Sequence, residues 1–300
     1  MAIDNTNRVT LKQLLARDQA LVVPGSFDMV SARLIEMAGF EAVFVPGYSH
    51  TASALGMPDA GLTTFTEMLE RVHHGANCVN IPVVADADTG YGNAINVRRT
   101  VREYEWAGAQ GIQLEDQEMP KKCGHTPGRR VIPAEEMALK LEAALEARRS
   151  DDFQIIARID SASILGIDDA IARGKLYEKV GADVIFVESP RTVEDMKRAA
   201  GSFERPTMAN MVEGGKTPLM STQELEDMGY KLLAYPLTLL MASIKTMQDA
   251  LSSWREKGST KHLIGQITSF DELDELMGFP EVRQWEARYS LKQQAGPAAD

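Results

Sequence analysis

The chain has 300 residues, and its 43 acidic against 32 basic side chains give a formal charge of −11, which argues against nucleic acid or an anionic membrane surface as a partner. Its 44% hydrophobic and 25% charged residues indicate a globular chain of one large or two ordinary domains. The sequence predicts a cytoplasmic protein, because it has no membrane-length apolar run, no apolar leader and only two cysteines, Cys78 and Cys123, which fit a reducing compartment.

Eight short runs rich in Val, Ile, Leu and Phe recur along the chain, each followed by Gly, Pro or Asp and then by a helical pattern. Near-continuous apolar runs are typical of parallel strands buried on both faces. Eight such units predict an α/β fold, a (β/α)8 TIM-type barrel, with a doubly wound open sheet as the alternative. The predicted strands span residues 21–24, 42–46, 82–86, 111–115, 153–159, 183–188, 206–210 and 231–235.

Amphipathic stretches between the strands predict helices over residues 29–38, 65–77, 93–107, 134–149, 168–180 and 221–228. Two more, 270–277 and 281–291, follow the barrel. We therefore predict a barrel domain over residues 1–257 and a C-terminal helical extension over 258–300. The apolar residues of the extension need a partner, which is either the barrel or another subunit.

The predicted strands end in polar residues on one rim of the barrel, where substrates bind in this fold. Asp86 and Asp88 lie two apart at the end of the third strand, and Glu115 ends the fourth. Three carboxylates without histidine favour Mg²⁺, with Mn²⁺ also suited. The alternative for Asp88 is that it caps the next helix. Asp116 and Glu188 are expected at the same rim, as are the strand-ending Arg158 and Asn210.

The connection after the fourth strand, residues 117–132, is longer than usual, and such loops are commonly lids or binding loops. It carries Lys121, Lys122, Cys123, Gly124 and His125. We expect the two lysines and the histidine to lower the pKa of the Cys123 thiol. The thiol is then either a nucleophile or an acid/base, and an adjacent carboxylate metal site argues against acyl-enzyme chemistry. We interpret the other cysteine, Cys78, as a core residue.

These motifs together resemble the isocitrate lyase/phosphoenolpyruvate mutase superfamily. The segments DADTGYG, EDQ, KKCGH, ARID, FVES and AN follow in the family's order over about residues 10–250. The cysteine loop resembles the lyase branch, which includes isocitrate, 2-methylisocitrate and 2,3-dimethylmalate lyases, whereas phosphonomutases usually lack the cysteine. The segment 210–215 departs from the methylisocitrate lyase pattern and looks more like that of dimethylmalate lyase, which favours an alkyl-bearing malate over a tricarboxylate.

The resemblance implies roles for individual residues. It implies an Mg²⁺ site held directly or through water, a substrate pocket, and a homo-oligomer, a tetramer, in which a C-terminal helix is exchanged between neighbours. The implied metal residues are Asp59, Asp86, Asp88 and Glu115. The implied catalytic residues are Cys123, Tyr48, Arg158 and His125, and the substrate-binding residues are Pro46, Gly47, Tyr48, Lys121, Gly124, His125, Arg158, Glu188 and Asn210.

Cleavage of a 2-hydroxy dicarboxylate between C2 and C3 requires a base for the hydroxyl and an acid for the departing carbanion. By this interpretation Cys123 is the acid, Arg158 binds a carboxylate, and Tyr48 is either the base or an aromatic wall. His125 either takes part in bonding within the loop or only orders it. The alternatives are an oxaloacetate hydrolase, which would use water as the attacking group, a carboxyphosphonoenolpyruvate-type phosphonomutase, and a non-catalytic binding module.

Overall fold

The computed structural model describes residues 9–290, which contain eight parallel strands. They are β1 Leu21–Pro24, β2 Val43–Val45, β3 Val83–Asp86, β4 Gly111–Glu115, β5 Gln154–Ile159, β6 Val184–Val187, β7 Thr207–Asn210 and β8 Leu232–Tyr235. The hydrogen-bonded order is β1-β8-β7-β6-β5-β4-β3-β2. β1 and β2 approach through one isolated bridge, between Gly25 and Phe44, so the barrel is nearly closed. The predicted TIM-type barrel is confirmed and the open sheet is wrong.

Successive side chains of each strand point to opposite faces of the sheet, and they therefore form two separate apolar layers. One face of each strand points into the barrel, where Phe44, Val84, Phe186 and Met208 pack together. The opposite face packs against the surrounding helices in a second cluster. The inward rows continue at the carboxyl ends of the strands into polar residues, and these residues form the rim.

Helices surround the barrel and follow the strands. The helices predicted between the strands are observed to within two residues of the expected bounds. The helices over residues 11–15, 47–55, 162–165, 193–201 and 238–257 were not predicted. The helices are α1 Leu11–Leu15, α2 Met29–Met37, α3 Gly47–Leu55, α4 Phe65–Cys78, α5 Ala94–Ala107, α6 Ala134–Ala147, α7 Ala162–Leu165, α8 Ile167–Val180, α9 Val193–Gly201, α10 Thr222–Asp227, α11 Thr238–Lys257, α12 Phe270–Met277 and α13 Phe279–Tyr289, with a 3-10 turn at Lys261–Leu263.

The N-terminus of α5 is capped by Asn93, whose side chain accepts hydrogen bonds from the backbone N–H groups of Ile95 and Asn96. The alternative role proposed for Asp88, capping of this helix, is therefore wrong. Cys78 ends α4 and is partly buried against the outer apolar layer, so it lies at the edge of the core in which it was predicted.

The chain divides into two compact units, one ending at Ser243 and one beginning at Ile244. The first holds the barrel. The second holds most of α11, together with α12 and α13, and its helices expose large apolar side chains such as Trp254, Phe270 and Trp285. The domain boundary predicted after residue 257 stays a prediction, and Leu291, the predicted end of the last helix, lies outside the described residues. None of the described helices is long and apolar enough to cross a membrane.

Candidate active site

The carboxyl ends of the strands surround a cavity of about 40 Å³, which has room for about one water molecule. Seven residues of its wall were not predicted: Phe44, Gln113, Phe186, Met208, Val212, Pro236 and Leu237. A dicarboxylate of four carbons or more needs a wider opening than this. Nine predicted site residues line the cavity: Pro46, Tyr48, Asp59, Asp86, Cys123, Gly124, His125, Arg158 and Asn210.

The five other predicted residues lie behind this lining, each in contact with a residue that forms it. Gly47 and Asp88 donate their backbone N–H groups to Asp86, at 3.2 and 3.0 Å. Lys121 pairs with Asp59, Glu115 with Arg158, and Glu188 with Asn210. The structure thus brings together all the residues for which the sequence predicted a role in binding or catalysis.

A lysine ammonium lies between two of the predicted metal carboxylates. Lys121 Nζ is 2.5 Å from Asp59 Oδ1 and 2.6 Å from Asp88 Oδ1, and all three side chains are buried. Burial lowers the pKa of Lys121, but the charges of Asp88 and Asp59 outweigh it and hold this pKa well above its usual value. Burial raises the pKa of Asp88 to about 6, although Lys121 acts in the opposite direction. The ammonium therefore balances carboxylate charge that is otherwise costly to bury.

Carboxylate oxygens in this region fit a hard divalent cation. Both side-chain oxygens of Glu115 are buried without a hydrogen-bond partner in the described part of the chain, and burial raises the pKa of this group well above its usual value. Within residues 9–290, however, no three side chains of His, Cys, Asp or Glu are grouped so that they could hold a metal ion. This arrangement suits Mg²⁺, which binds through one or two carboxylates and keeps several waters. The prediction of a metal site at Asp59, Asp86, Asp88 and Glu115 therefore stands as one in which one or two carboxylates bind Mg²⁺ directly and the others bind it through water.

The backbone that carries these carboxylates is tightly constrained. Asp88 and Tyr91 have φ of +48° and +59°, values that non-glycine residues rarely adopt. A Cβ on Gly47 would lie 3.0 Å from Asp86 Oδ2 and 3.3 Å from Asp88 Oδ1, so glycine allows the start of α3 to approach both carboxylates. Strain and close approach of this kind cluster at functional sites.

The loop after β4 is fixed in place by side chains that the sequence did not single out for this role. The carboxamide of Gln117 bonds both backbone groups of Lys122, at 2.9 and 3.0 Å. The backbone N–H of Cys123 donates to the Asp59 carbonyl at 3.3 Å. Ser189 Oγ lies 2.9 Å from the carbonyl oxygen of Gly124. These bonds place the thiol of Cys123 at the cavity wall.

The expected lowering of the Cys123 pKa is wrong. Burial raises the pKa of this thiol to about 11, against a smaller opposing effect of the His125 backbone N–H. The neighbouring lysines point elsewhere, because Lys121 pairs with carboxylates and Lys122 Nζ donates to the carbonyl of Gly128. At neutral pH the thiol is therefore protonated, as a proton donor must be.

His125 connects the loop after β4 to the loop after β7. Its Nδ1 accepts the backbone N–H of Lys216 at 3.1 Å, so the ring proton is placed on Nε2, which lies 3.4 Å from Glu188 Oε1. Burial lowers the pKa of His125, although the charge of Glu188 raises it. The side chain therefore joins two loops and a buried carboxylate as a neutral imidazole.

Arg158 supplies a positive charge to the cavity wall. Asp160 binds it at two points, with Arg158 Nε 2.9 Å from Oδ2 and Nη2 3.1 Å from Oδ1. Arg129 Nη1 donates to the same carboxylate at 2.6 Å. Burial raises the pKa of Asp160, but the two arginines outweigh it and hold this pKa below its usual value. Nothing in the sequence shows that Arg129 is buried while its neighbour Arg130 is exposed.

Asp116 does not join the rim carboxylates, contrary to expectation. Its Oδ2 accepts hydrogen bonds from Arg173 and Tyr177 on α8, at 3.0 and 3.1 Å. Glu115 points into the barrel, so its neighbour Asp116 must point outward.

Tyr48, on the first turn of α3, lines the cavity, and its hydroxyl has no hydrogen-bond partner among residues 9–290. That position suits either of the roles predicted for it.

The chain resembles known proteins along most of its length. A family model described as phosphoenolpyruvate phosphomutase matches residues 11–255. A 2,3-dimethylmalate lyase of Eubacterium barkeri is 45% identical, over 93% of this chain and 97% of its own. A chloroplastic carboxyvinyl-carboxyphosphonate phosphorylmutase of Arabidopsis thaliana is 43% identical over 93% and 83%. A 2-methylisocitrate lyase of Aeropyrum pernix is 40% identical over 95% and 91%.

Solved structures show the same relationship. An oxaloacetate acetylhydrolase in complex with the inhibitor 3,3-difluorooxalacetate matches with a TM-score of 0.89 and 32% identity, over 93% of this chain and 95% of its own. A 2,3-dimethylmalate lyase matches with 0.89 and 30%, over 98% and 100%. A phosphonopyruvate hydrolase in complex with oxalate and Mg²⁺ matches with 0.84 and 29%, over 93% and 97%. The chain therefore belongs to the phosphoenolpyruvate mutase/isocitrate lyase superfamily.

Proposed function

We propose that this protein is an Mg²⁺-dependent carbon–carbon lyase that cleaves a 2-hydroxy dicarboxylate to pyruvate and a second carboxylate. The observation that carries the proposal is that Cys123 and Arg158 line the same cavity. A proton donor and a carboxylate receptor at one cavity meet two demands of C2–C3 cleavage. The substrate would be a 2-alkylmalate such as 2,3-dimethylmalate, or 2-methylisocitrate.

In the proposed reaction the C2–C3 bond breaks and its electron pair passes to C3, while the C2 hydroxyl loses its proton and becomes the keto group of pyruvate. Tyr48 is the candidate to receive that proton. Arg158 binds the carboxylate next to C3, where negative charge develops. Cys123 Sγ–H then protonates C3, a step that contributes about 10²–10⁴ in rate. Bound Mg²⁺ would acidify the hydroxyl and orient it.

The cavity wall favours a substrate with two carboxylates and alkyl groups. Phe186, Met208 and Leu237 supply apolar surface for methyl groups. In the described part of the wall Arg158 is the one permanently charged cation, because Lys121 is paired behind it. A third carboxylate on the substrate would need another cation. These observations support an alkylmalate over a tricarboxylate.

An oxaloacetate hydrolase is the second candidate, supported by the similarity to oxaloacetate acetylhydrolase at a TM-score of 0.89. Such an enzyme would use water to cleave the same type of bond. A phosphonomutase is the third candidate, supported by the 43% identical phosphorylmutase. The thiol of Cys123 argues against the mutase, because transfer of a phosphoryl group needs no acid that protonates a carbanion at this position.

Product analysis separates the lyase from the hydrolase. The purified protein with Mg²⁺ would be given alkylmalates, 2-methylisocitrate and oxaloacetate, with pyruvate measured through lactate dehydrogenase and with acetate and oxalate measured directly. Release of pyruvate from an alkylmalate is the expected result. Formation of acetate and oxalate from oxaloacetate, without turnover of any 2-hydroxy dicarboxylate, would contradict the lyase. Mn²⁺ in place of Mg²⁺ should support the same products.

The assembly that we propose is a homotetramer in which neighbouring subunits exchange their C-terminal helices. A largely apolar groove of about 800 Å³, lined by Leu34 and Phe40 among others, opens on the barrel surface between α2 and the start of α11. Leu240 is the one buried residue of α11, which exposes Met247, Leu251 and Trp254. A helix from another subunit would cover such a groove. Leu251→Glu should therefore reduce the mass measured by light scattering, and an unchanged mass would contradict the exchange. The cytoplasm stays the predicted compartment.

A further inference from the structure

We propose that Asp160 is a positioning residue that aims the guanidinium of Arg158 at the substrate. The inference rests on the proposed function, in which Arg158 binds a substrate carboxylate. Asp160 is one of the polar residues expected at the end of the fifth strand, in the segment ARID, and it does not line the cavity. It would therefore act through Arg158.

The contact geometry determines which edge of the guanidinium remains available. Asp160 occupies the side edge of Arg158, because it accepts from Nε at 2.9 Å and from Nη2 at 3.1 Å. Nη1 makes no hydrogen bond to any group in residues 9–290, and Arg158 lines the cavity. Nη1 and the second N–H of Nη2 thus form an open edge. A guanidinium edge of this kind binds a carboxylate through two parallel hydrogen bonds.

Two other carboxylates compete for the same guanidinium. Glu115 Oε2 lies 3.4 Å from Nε, and Glu188 Oε2 lies 3.8 Å from Nη2. Neither makes a hydrogen bond to Arg158 at present. Without the two-point bond to Asp160, the guanidinium could rotate toward these acids, and its open edge would turn away from the substrate.

The carboxylate of Asp160 is itself held in place, so it can fix the orientation of the Arg158 guanidinium. It is fully buried, its Oδ1 accepts from Arg129 Nη1 at 2.6 Å, and its backbone N–H donates to Asp116 Oδ1 at 2.8 Å. Arg129 belongs to the loop that also carries Cys123. Asp160 therefore couples the position of the carboxylate receptor, Arg158, to the loop of the proton donor.

The test measures the binding of 3,3-difluorooxalacetate by calorimetry at fixed Mg²⁺. Asp160→Asn should weaken binding about tenfold to a hundredfold, as expected when the inhibitor loses a charge-assisted hydrogen bond to the misdirected guanidinium. Arg158→Met should weaken it at least as much, and Asp160→Asn should add nothing in the Arg158→Met background. Asp183→Asn is the matched control, because Asp183 also pairs with an arginine, Arg148 at 2.7 Å, but at the opposite end of the strands.

The control should bind the inhibitor with wild-type affinity. If Asp160→Asn does not fold, the double variant Asp160→Asn with Arg129→Gln removes both charges of that buried pair and should show the same weakened binding. Wild-type affinity in either variant would overturn the proposal. The proposal would also be overturned if Asp160→Asn reduced the affinity for the inhibitor as much in the Arg158→Met background as in the wild type, or if the wild-type protein did not bind the inhibitor. Failure of the lyase assignment itself would appear separately, as absence of pyruvate release by the wild type.

Discussion

Gly124→Ala tests whether the loop after β4 must lie as close to the barrel as observed. An added Cβ would lie 2.6 Å from Cγ and Cδ of Glu188, about 1 Å inside an ordinary carbon–carbon contact. Glu188 cannot yield, because it is fully buried, 2.6 Å from Ser189 Oγ and 3.1 Å from Asn210 Nδ2. The loop must therefore rise by about 1 Å and take Cys123 with it.

A displacement of that size at a proton donor lowers kcat by about a hundredfold. Steady-state release of pyruvate from an alkylmalate measures kcat, and thermal unfolding shows whether the variant is folded. Gly201→Ala is the control, because a Cβ at Gly201 meets no atom within 4 Å. Wild-type kcat in Gly124→Ala would refute the reasoning, since the proton donor would then not depend on this close contact. An equal loss in Gly201→Ala would show that the effect is not local.

Three further predictions concern the thiol and the metal. Cys123→Ser should lose most of kcat with little change in KM, because the thiol acts mainly in the transition state; a fully active variant would show that Cys123 is not the acid. With a pKa near 11 instead of 9, Cys123 should react with iodoacetamide at pH 7.5 roughly a hundredfold more slowly than a free cysteine, and its rate should keep rising beyond pH 9. The labelling rate is measured by mass spectrometry of the peptide that contains Cys123. A rate that stops rising near pH 9 would contradict the raised pKa. Asp86→Ala should weaken Mg²⁺ binding measured by calorimetry, and unchanged binding would remove Asp86 from the metal site.

The strands could be predicted almost to the residue because parallel strands covered on both faces must be apolar throughout. The rim followed from them, since the carboxyl ends of parallel strands meet at one edge, and Asp86, Arg158 and Asn210 meet there as expected. The error at Asp116 was avoidable. Consecutive residues of a strand face opposite ways, so an inward Glu115 requires an outward Asp116.

The pKa of Cys123 could not be predicted, because neighbours in sequence need not be neighbours in space. Lys121 and Lys122 flank the thiol along the chain, yet their ammonium groups bind acceptors away from it. The pairing of Asp160 with Arg129 was similarly hidden. Arg129 is remote in sequence from Asp160, and only the return of the loop to the barrel at the Gln117–Val131 bridge brings the two together.

The narrow cavity beneath the loop has a kinetic consequence. The bonds that hold the loop in place, such as those from Gln117 to Lys122 and from Lys216 to His125, join protein to protein and include no ligand. Where they persist in both the free and the loaded protein, their free energy cancels from Kd. It enters the rates of entry and release equally, because both require the loop to open. Weakening one of these bonds, as in Gln117→Ala, would therefore speed ligand exchange in both directions at nearly constant affinity.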